Sequence, residues 1–357
     1  MRIESLTFLR FFAAFIVVIF HYGKSTDLAN FSKPFLTSGP QMVTFFFVLS
    51  GFVLTISYYS RDELSLKLFY LARVARIIPL YGIALGVMCY LNYGQGKNNF
   101  TALLLNILFV QSWFPPYPLS MNGPAWAVSV EAFFFITFPF ILVAIKKNKL
   151  QPTFFIFIAF IVWFFTQAIL SNLINSAFYV GFPSASHDLI FYFPLSHYCS
   201  FLLGIAGGYA FTQRRNIENN SGLIHSFLLF VIVLLVYFTL QNPRQLKNLI
   251  GFNVPTGTSF YAPMFLLLIL SMASSKNIFT KILSLKCFVI LGEASYALYI
   301  LQKPVYTIYT KYISNHLNLS VSNNFYVFSL LLIFISILSL YFIEKPARLL
   351  IVRVSNQ

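Results

Sequence analysis

The chain has 357 residues, 58% of them hydrophobic and only 9% charged, with a formal net charge of +15. About a quarter of the residues in an ordinary soluble globule are charged, so most of this chain belongs in lipid. The basic excess would suit nucleic acid, but cytoplasmic loops of a membrane protein carry the same excess, and its distribution decides between the two. Cys89, Cys199 and Cys287 all fall in apolar stretches and show neither a disulfide framework nor a metal-binding spacing.

The first apolar stretch, Leu6 to Tyr22, is long enough to enter a bilayer yet carries Arg10 and His21. Their eleven-residue offset is close to a whole number of helical turns, so both side chains share one face, roughly 16 Å apart along the axis. Ala13, Ala14 and Val17 lie on that face, while Phe11, Phe12 and Phe15 point elsewhere. The stretch lacks a cleavage site of small residues and reads as a retained helix. An ionisable pair inside a membrane marks a functional site by default, although a helix-end histidine and a snorkelling arginine would read the same way.

Apolar runs predict about ten spanning helices, near 6–23, 41–58, 74–93, 127–145, 154–171, 190–211, 223–240, 259–274, 286–309 and 325–345. The run from Thr101 to Trp113 is too short to span and is followed by Pro115, Pro116 and Pro118, which predicts an interfacial or re-entrant segment. With the N-terminus inside, cytoplasmic segments collect sixteen cations: Arg2, Arg61, Lys67, Arg73, Arg76, Lys146, Lys147, Lys149, Arg214, Arg215, Lys276, Lys281, Lys286, Lys345, Arg348 and Arg353. Outside segments hold six, namely Lys24, Lys33, Lys97, Arg244, Lys247 and Lys311. That asymmetry predicts both termini in the cytoplasm and turns the basicity into a topology signal, leaving no nucleic-acid partner to explain. The chain therefore reads as one all-α, polytopic membrane helix bundle, a single domain over residues 1–357.

Four later stretches carry candidate chemistry. Ser50 and Gly51, within FFFVLSGF, allow close approach of another helix or a ligand, and helix packing is the simpler use. Arg73 and Arg76, three apart, face the same way at the predicted helix entrance and suit phosphate or anionic lipid. In NGPAWAVSVE, Asn122, Gly123 and Pro124 predict a turn, Trp126 an interfacial anchor, and Glu131 a carboxylate entering the membrane from the outer side, the half that His21 reaches. Such a carboxylate can orient His21, hold an acceptor hydroxyl, or balance an internal charge. Near the C-terminus, Glu293 falls close in depth to Arg10, and Glu344, Lys345 and Arg348 read as an interfacial cluster beside Pro346. His197 is the remaining intramembrane histidine.

In this order the Arg10/His21 pair, FFFVLSGF, Arg73/Arg76, NGPAWAVSVE, LGEASYALYI and YFIEKPAR resemble the acyltransferase-3 family of integral-membrane O-acyltransferases, over residues 7 to 348. The resemblance implies a bundle of about ten helices in a bacterial inner membrane. It implies an enzyme that takes an acyl group, acetyl by default, from cytoplasmic acyl-coenzyme A and delivers it to a hydroxyl of a cell-surface or exported glycan. It makes His21 the catalytic histidine, Arg10 its essential partner, Glu131 a site residue, and Arg73 and Arg76 ligands of the coenzyme phosphates, with no metal. Ala127 stands where the family stretch often has Ser, and Gln302 where many relatives have His, so neither inherits a role.

Joined to the helix face, this predicts a pantetheine arm running past Ala13, Ala14 and Val17 from the arginines to His21. His21 then deprotonates an acceptor hydroxyl or carries the acyl group itself. The rival from another class is a transporter that flips a glycan or lipid-linked intermediate, with the same polar residues lining its path.

Overall fold

A computed structural model of the chain describes residues 3–61, 63–93, 99–214, 222–275 and 277–355. Arg2, Lys97, Arg215 and Lys276, counted above among the loop cations, lie outside the described residues. Among the described residues the main helices are α1 (Glu4–Val18), α2 (Gly39–Tyr58), α3 (Leu66–Tyr93), α4 (Trp126–Lys147), α5 (Pro152–Asn175), α6 (Pro194–Arg214), α7 (Gly222–Gln241), α8 (Ala262–Ser274), α9 (Lys286–Glu293), α10 (Ser295–Tyr309), α11 (Val321–Ser339) and α12 (Lys345–Ser355). In hydrocarbon, backbone polar groups must be satisfied within a segment, and helices achieve this without neighbours.

Among the described residues, seven helical segments are long and apolar enough to cross a membrane, and two shorter apolar helices cover 226–241 and 259–274. The predicted ninth span is not one rod. It is broken into α9 and α10 around Ala294. The predicted third span starts eight residues early, at Leu66, so Arg73 and Arg76 lie in the interior of α3 rather than at its entrance.

Glycine sets the closest packing. A Cβ on Gly51 of α2 would overlap the carbonyl oxygen of Phe201, and one on Gly204 of α6 would overlap that of Val48. The backbones of α2 and α6 therefore touch directly, as small residues permit in lipid. That settles the use of Gly51 as helix packing. The α1 helix lies against α2, α9 and α10.

Three helical segments end in π turns among the described residues: Ile19–Gly23, Thr310–Ser314 and Leu340–Glu344. Each includes an ionisable residue, His21, Lys311 or Glu344 respectively. A π turn widens the helix by one residue, and such turns concentrate at functional sites.

The segment from Phe100 to Ala125 holds an eight-residue helix, Phe100–Ile107, too short to span. It tucks into the bundle through polar contacts. Tyr81 Oη donates to the Asn106 carbonyl at 2.9 Å, Gln111 Nε2 to that of Ala125 at 3.0 Å, and Ser112 Oγ to that of Trp126 at 2.9 Å. The turn that follows is fixed to α10, with Asn122 Nδ2 donating to Ile300 O at 2.9 Å and Lys303 Nζ to Met121 O at 2.7 Å. As a result α4 begins inside the protein. Trp126 is not an interfacial anchor; it is buried against Phe47, Tyr192 and His197.

Candidate active site

Four of the five predicted site residues converge on one cleft. Arg10 of α1, Arg73 and Arg76 of α3 and Glu131 of α4 line it, together with Ser50 of α2 and Tyr296 and Tyr299 of α10. Its empty volume is about 890 Å³, open mouth included. Glu131 lies within electrostatic reach of Arg76, Arg10 and Arg73. Its early position in α4 is what brings it there, because the tucked segment before Trp126 starts that helix deep in the bundle. The carboxylate that the sequence places in the half His21 reaches lies among the arginines, a position that fits the balancing of an internal charge.

Arg73 is held beside aromatic rings. The Arg73 guanidinium carbon lies 5.7 Å from the Phe69 ring centre and 5.8 Å from that of Phe135. Its Nε is buried with no hydrogen-bond partner. Ser295 Oγ, also on the cleft wall, is likewise buried and unpartnered. Tyr296 Oη donates to Ile77 O at 3.1 Å and ties α10 to the arginine helix. A cleft with three arginines, one carboxylate and unsatisfied donors has the chemistry of an anion site.

A second cleft shares Arg10, Arg76, Leu49 and Val53 with the first and adds Thr7, Ser57, Glu293 and Arg348. Glu293 is paired with Lys345 at 3.2 Å. Glu344, expected at the interface, is almost fully buried and accepts a hydrogen bond from Arg348 at 2.9 Å. The two clefts thus meet at Arg10 and Arg76.

His21 lines neither cleft. It sits in the π turn with an exposed side chain, its ring 5.1 Å from that of Phe20 and 5.8 Å from that of Tyr22. Its charged neighbours are Lys24 and Lys303. The predicted path between it and Arg10 is closed. Ala13, Ala14 and Val17 are all packed, at 2%, 0% and 2% exposure, so the small stripe faces neighbouring helices and no channel.

The first cleft nevertheless extends toward His21 by another route. It follows α2 from Leu54 to Val43, a rise of roughly 16 Å. One further turn along α2, Gly39 packs on Phe20, the neighbour of His21. On α10 the cleft ends at Tyr299, one turn before Lys303. Phe46 and Tyr299 line this His21-ward part of the cleft, edge to face with ring centres 6.1 Å apart.

Arg348 and Tyr299 line the clefts although the sequence did not single them out as candidate site residues. The first was visible only as part of a terminal basic motif, the second only as one aromatic among many. His197 is buried against Phe47 and Trp126, its Nε2 2.9 Å from Phe191 O, and lines neither cleft. Among the described residues, no group of three or more His, Cys, Asp or Glu side chains is arranged to hold a metal ion.

A family model described as an acyltransferase domain matches residues 3–344. The chain is similar to the acyltransferase MdmB of Streptomyces mycarofaciens, 33% identical over 39% of this chain and 38% of that protein. It is also similar to a putative O-acetyltransferase of Staphylococcus aureus strain COL, 23% identical over 97% of this chain and 57% of the relative. The O-acetyltransferase OatA of S. aureus strain NCTC 8325 is 22% identical over 95% of this chain and 56% of its own length. The chain thus spans little more than half of the staphylococcal relatives. No solved structure matches.

Proposed function

The chain belongs to the acyltransferase-3 family of integral-membrane acyltransferases, and from that premise we propose that it moves an acyl group from cytoplasmic acyl-coenzyme A to a hydroxyl of a cell-surface or exported glycan. The names of the staphylococcal relatives support acetyl as the group and oxygen as its acceptor. The observation that carries the reading is the convergence of Arg10, Arg73, Arg76 and Glu131 on one cleft whose far end approaches His21.

In this reading both termini and the arginine end of the clefts face the cytoplasm, and about ten helical segments cross the membrane. Arg73 and Arg76 bind coenzyme phosphates through charge-assisted hydrogen bonds. Glu131 balances the arginine cluster, and Arg10 holds the donor where the two clefts meet. The thioester advances along α2, past Phe46 and Tyr299, instead of along the packed face of α1. At the far end His21 accepts the proton of the acceptor hydroxyl while the oxygen attacks the thioester carbonyl. The carbon–sulfur bond breaks, the carbon–oxygen bond forms, and the departing thiolate recovers a proton. A two-step route, in which His21 first carries the acyl group, has the same balance.

The deciding experiment uses purified full-length protein in lipid nanodiscs, acetyl-labelled coenzyme A and candidate glycans. Transfer of label to glycan without any gradient is expected. Gradient-dependent glycan movement with no transfer would replace the enzyme reading with a transporter.

A further inference from the structure

The second cleft holds an arginine that the reaction described so far does not use. Arg348, at the start of α12, lines it beside Arg10 and Arg76. The pair it forms and its unpartnered atoms show a built position. Glu344 is 1% exposed and fixes Arg348 through a 2.9 Å ion pair. The pair spans one turn and begins in the π turn Leu340–Glu344, which places the carboxylate at the interior end. Arg348 Nε and Glu344 Oε1 are both buried without a hydrogen-bond partner.

Charge closes the argument. Glu293 on the same wall is engaged by Lys345, and Glu344 by Arg348. Glu131 and Glu344 both act on Arg10 and Arg76, but Glu131 is shared with Arg73 and Glu344 with Arg348. Arg348 is 41% exposed, so an anion can reach it, and cations gathered in one cleft in excess of their carboxylates repel one another unless an anion joins them. Guanidinium groups select phosphate by matching its oxygens two at a time.

We propose that Arg348, positioned by Glu344, is a third phosphate-binding arginine of the second cleft, acting with Arg10 and Arg76. This rests on the coenzyme reading: the phosphate-bearing end of the donor spans the second cleft and its junction with the first, where Arg76 and Arg73 stand, and its thioester arm enters the first. The same chemistry would hold the phosphate of an anionic lipid, so the source is part of the test.

The test is calorimetric binding to full-length protein in phosphatidylcholine nanodiscs, with coenzyme A and phosphate-free pantetheine as paired ligands. Arg348→Gln is expected to lower the affinity ratio of coenzyme A to pantetheine about ten- to a hundredfold, the value of one charge-assisted bond. Arg348→Lys should recover part of that ratio, since it restores the charge but not the planar fork. Glu344→Gln should lose less than Arg348→Gln. An unchanged ratio in Arg348→Gln overturns the proposal. So does an equal loss for both ligands in Arg348→Gln and Arg348→Lys, which would mark a structural role.

Nanodiscs containing phosphatidylglycerol distinguish the sources. If the difference between wild type and Arg348→Gln persists, the coenzyme is the ligand; if it vanishes there, lipid phosphate occupies the position and the coenzyme assignment falls. Should coenzyme A bind through Arg348 while no acyl group reaches any glycan, the acyltransfer reading fails and the arginine assignment stands.

Discussion

Gly292 lies directly against Thr7, so that a Cβ added to the glycine would overlap the Thr7 carbonyl oxygen. This contact seats α9 on α1 one turn before Arg10, next to the Phe8–Phe288 ring pair with centres 4.6 Å apart. The neighbour of Gly292, Glu293, lines the second cleft with Arg10. Helix packing and site geometry are therefore coupled at this residue.

Gly292→Ala should for that reason do harm despite the better helix propensity of alanine, which favours it by up to about 1 kcal/mol. The backbone oxygen cannot rotate away as a side chain could, and overpacking costs about 1–3 kcal/mol. A lower thermal midpoint in detergent and a weaker apparent affinity for the acyl donor are expected together. A variant with wild-type melting and wild-type donor affinity would show that α9 can slide on α1.

His21→Ala should abolish acyl transfer, by about 10²–10⁴-fold, while coenzyme binding stays within a few-fold of wild type. The separation follows from position, since His21 lines neither of the clefts that hold the arginines. Single-turnover transfer and equilibrium binding on the same preparation measure both quantities. Retention of most transfer removes His21 from the chemistry.

Arg73→Ala and Glu131→Gln should move donor binding in opposite directions. Arg73 presents an unsatisfied Nε and belongs to the cleft wall, so its loss weakens coenzyme binding. Glu131 is a carboxylate within electrostatic reach of all three arginines, and neutralising it leaves a more positive cleft that binds phosphate more tightly. Turnover should still fall in Glu131→Gln, because the uncompensated arginines hold the donor and product too firmly. Titration of each variant with coenzyme A checks the sign, and weaker binding in Glu131→Gln would mean that the carboxylate orders the arginines instead of opposing the ligand.

These contrasts show where the sequence was informative. Long apolar runs and the charged loops between them gave the bundle, and the short run before Pro115 was legible as a segment that does not span. Residue types also gave the arginines, because Arg10, Arg73 and Arg76 stand in apolar surroundings where cations are rare. Depth was less legible. Counting from the predicted start of α4 put Glu131 in the half that His21 reaches, since nothing in the pattern shows that the preceding segment tucks inward through Gln111, Ser112 and Asn122. Periodicity likewise put Ala13, Ala14 and Val17 on one face correctly, but cannot tell whether a ligand or a neighbouring helix fills it. The π turns that place His21 and Glu344 have no signature in a pattern read at 3.6 residues per turn.

Phe46 and Tyr299 should set the length of acyl chain that reaches His21. Their edge-to-face pair lines the part of the first cleft that leads toward His21, on the route proposed for the donor's acyl group. A short acetyl group slips past two rings that a longer chain would have to part, and each methylene a pocket accepts or refuses is worth about 1–3 kcal/mol. Phe46→Ala removes one ring while leaving the arginines in place. The ratio of kcat/KM for butyryl- to acetyl-coenzyme A should then rise about tenfold or more, with the affinity for free coenzyme A little changed. If that ratio does not move, the acyl group reaches His21 without meeting the aromatic pair, and the route along α2 is wrong.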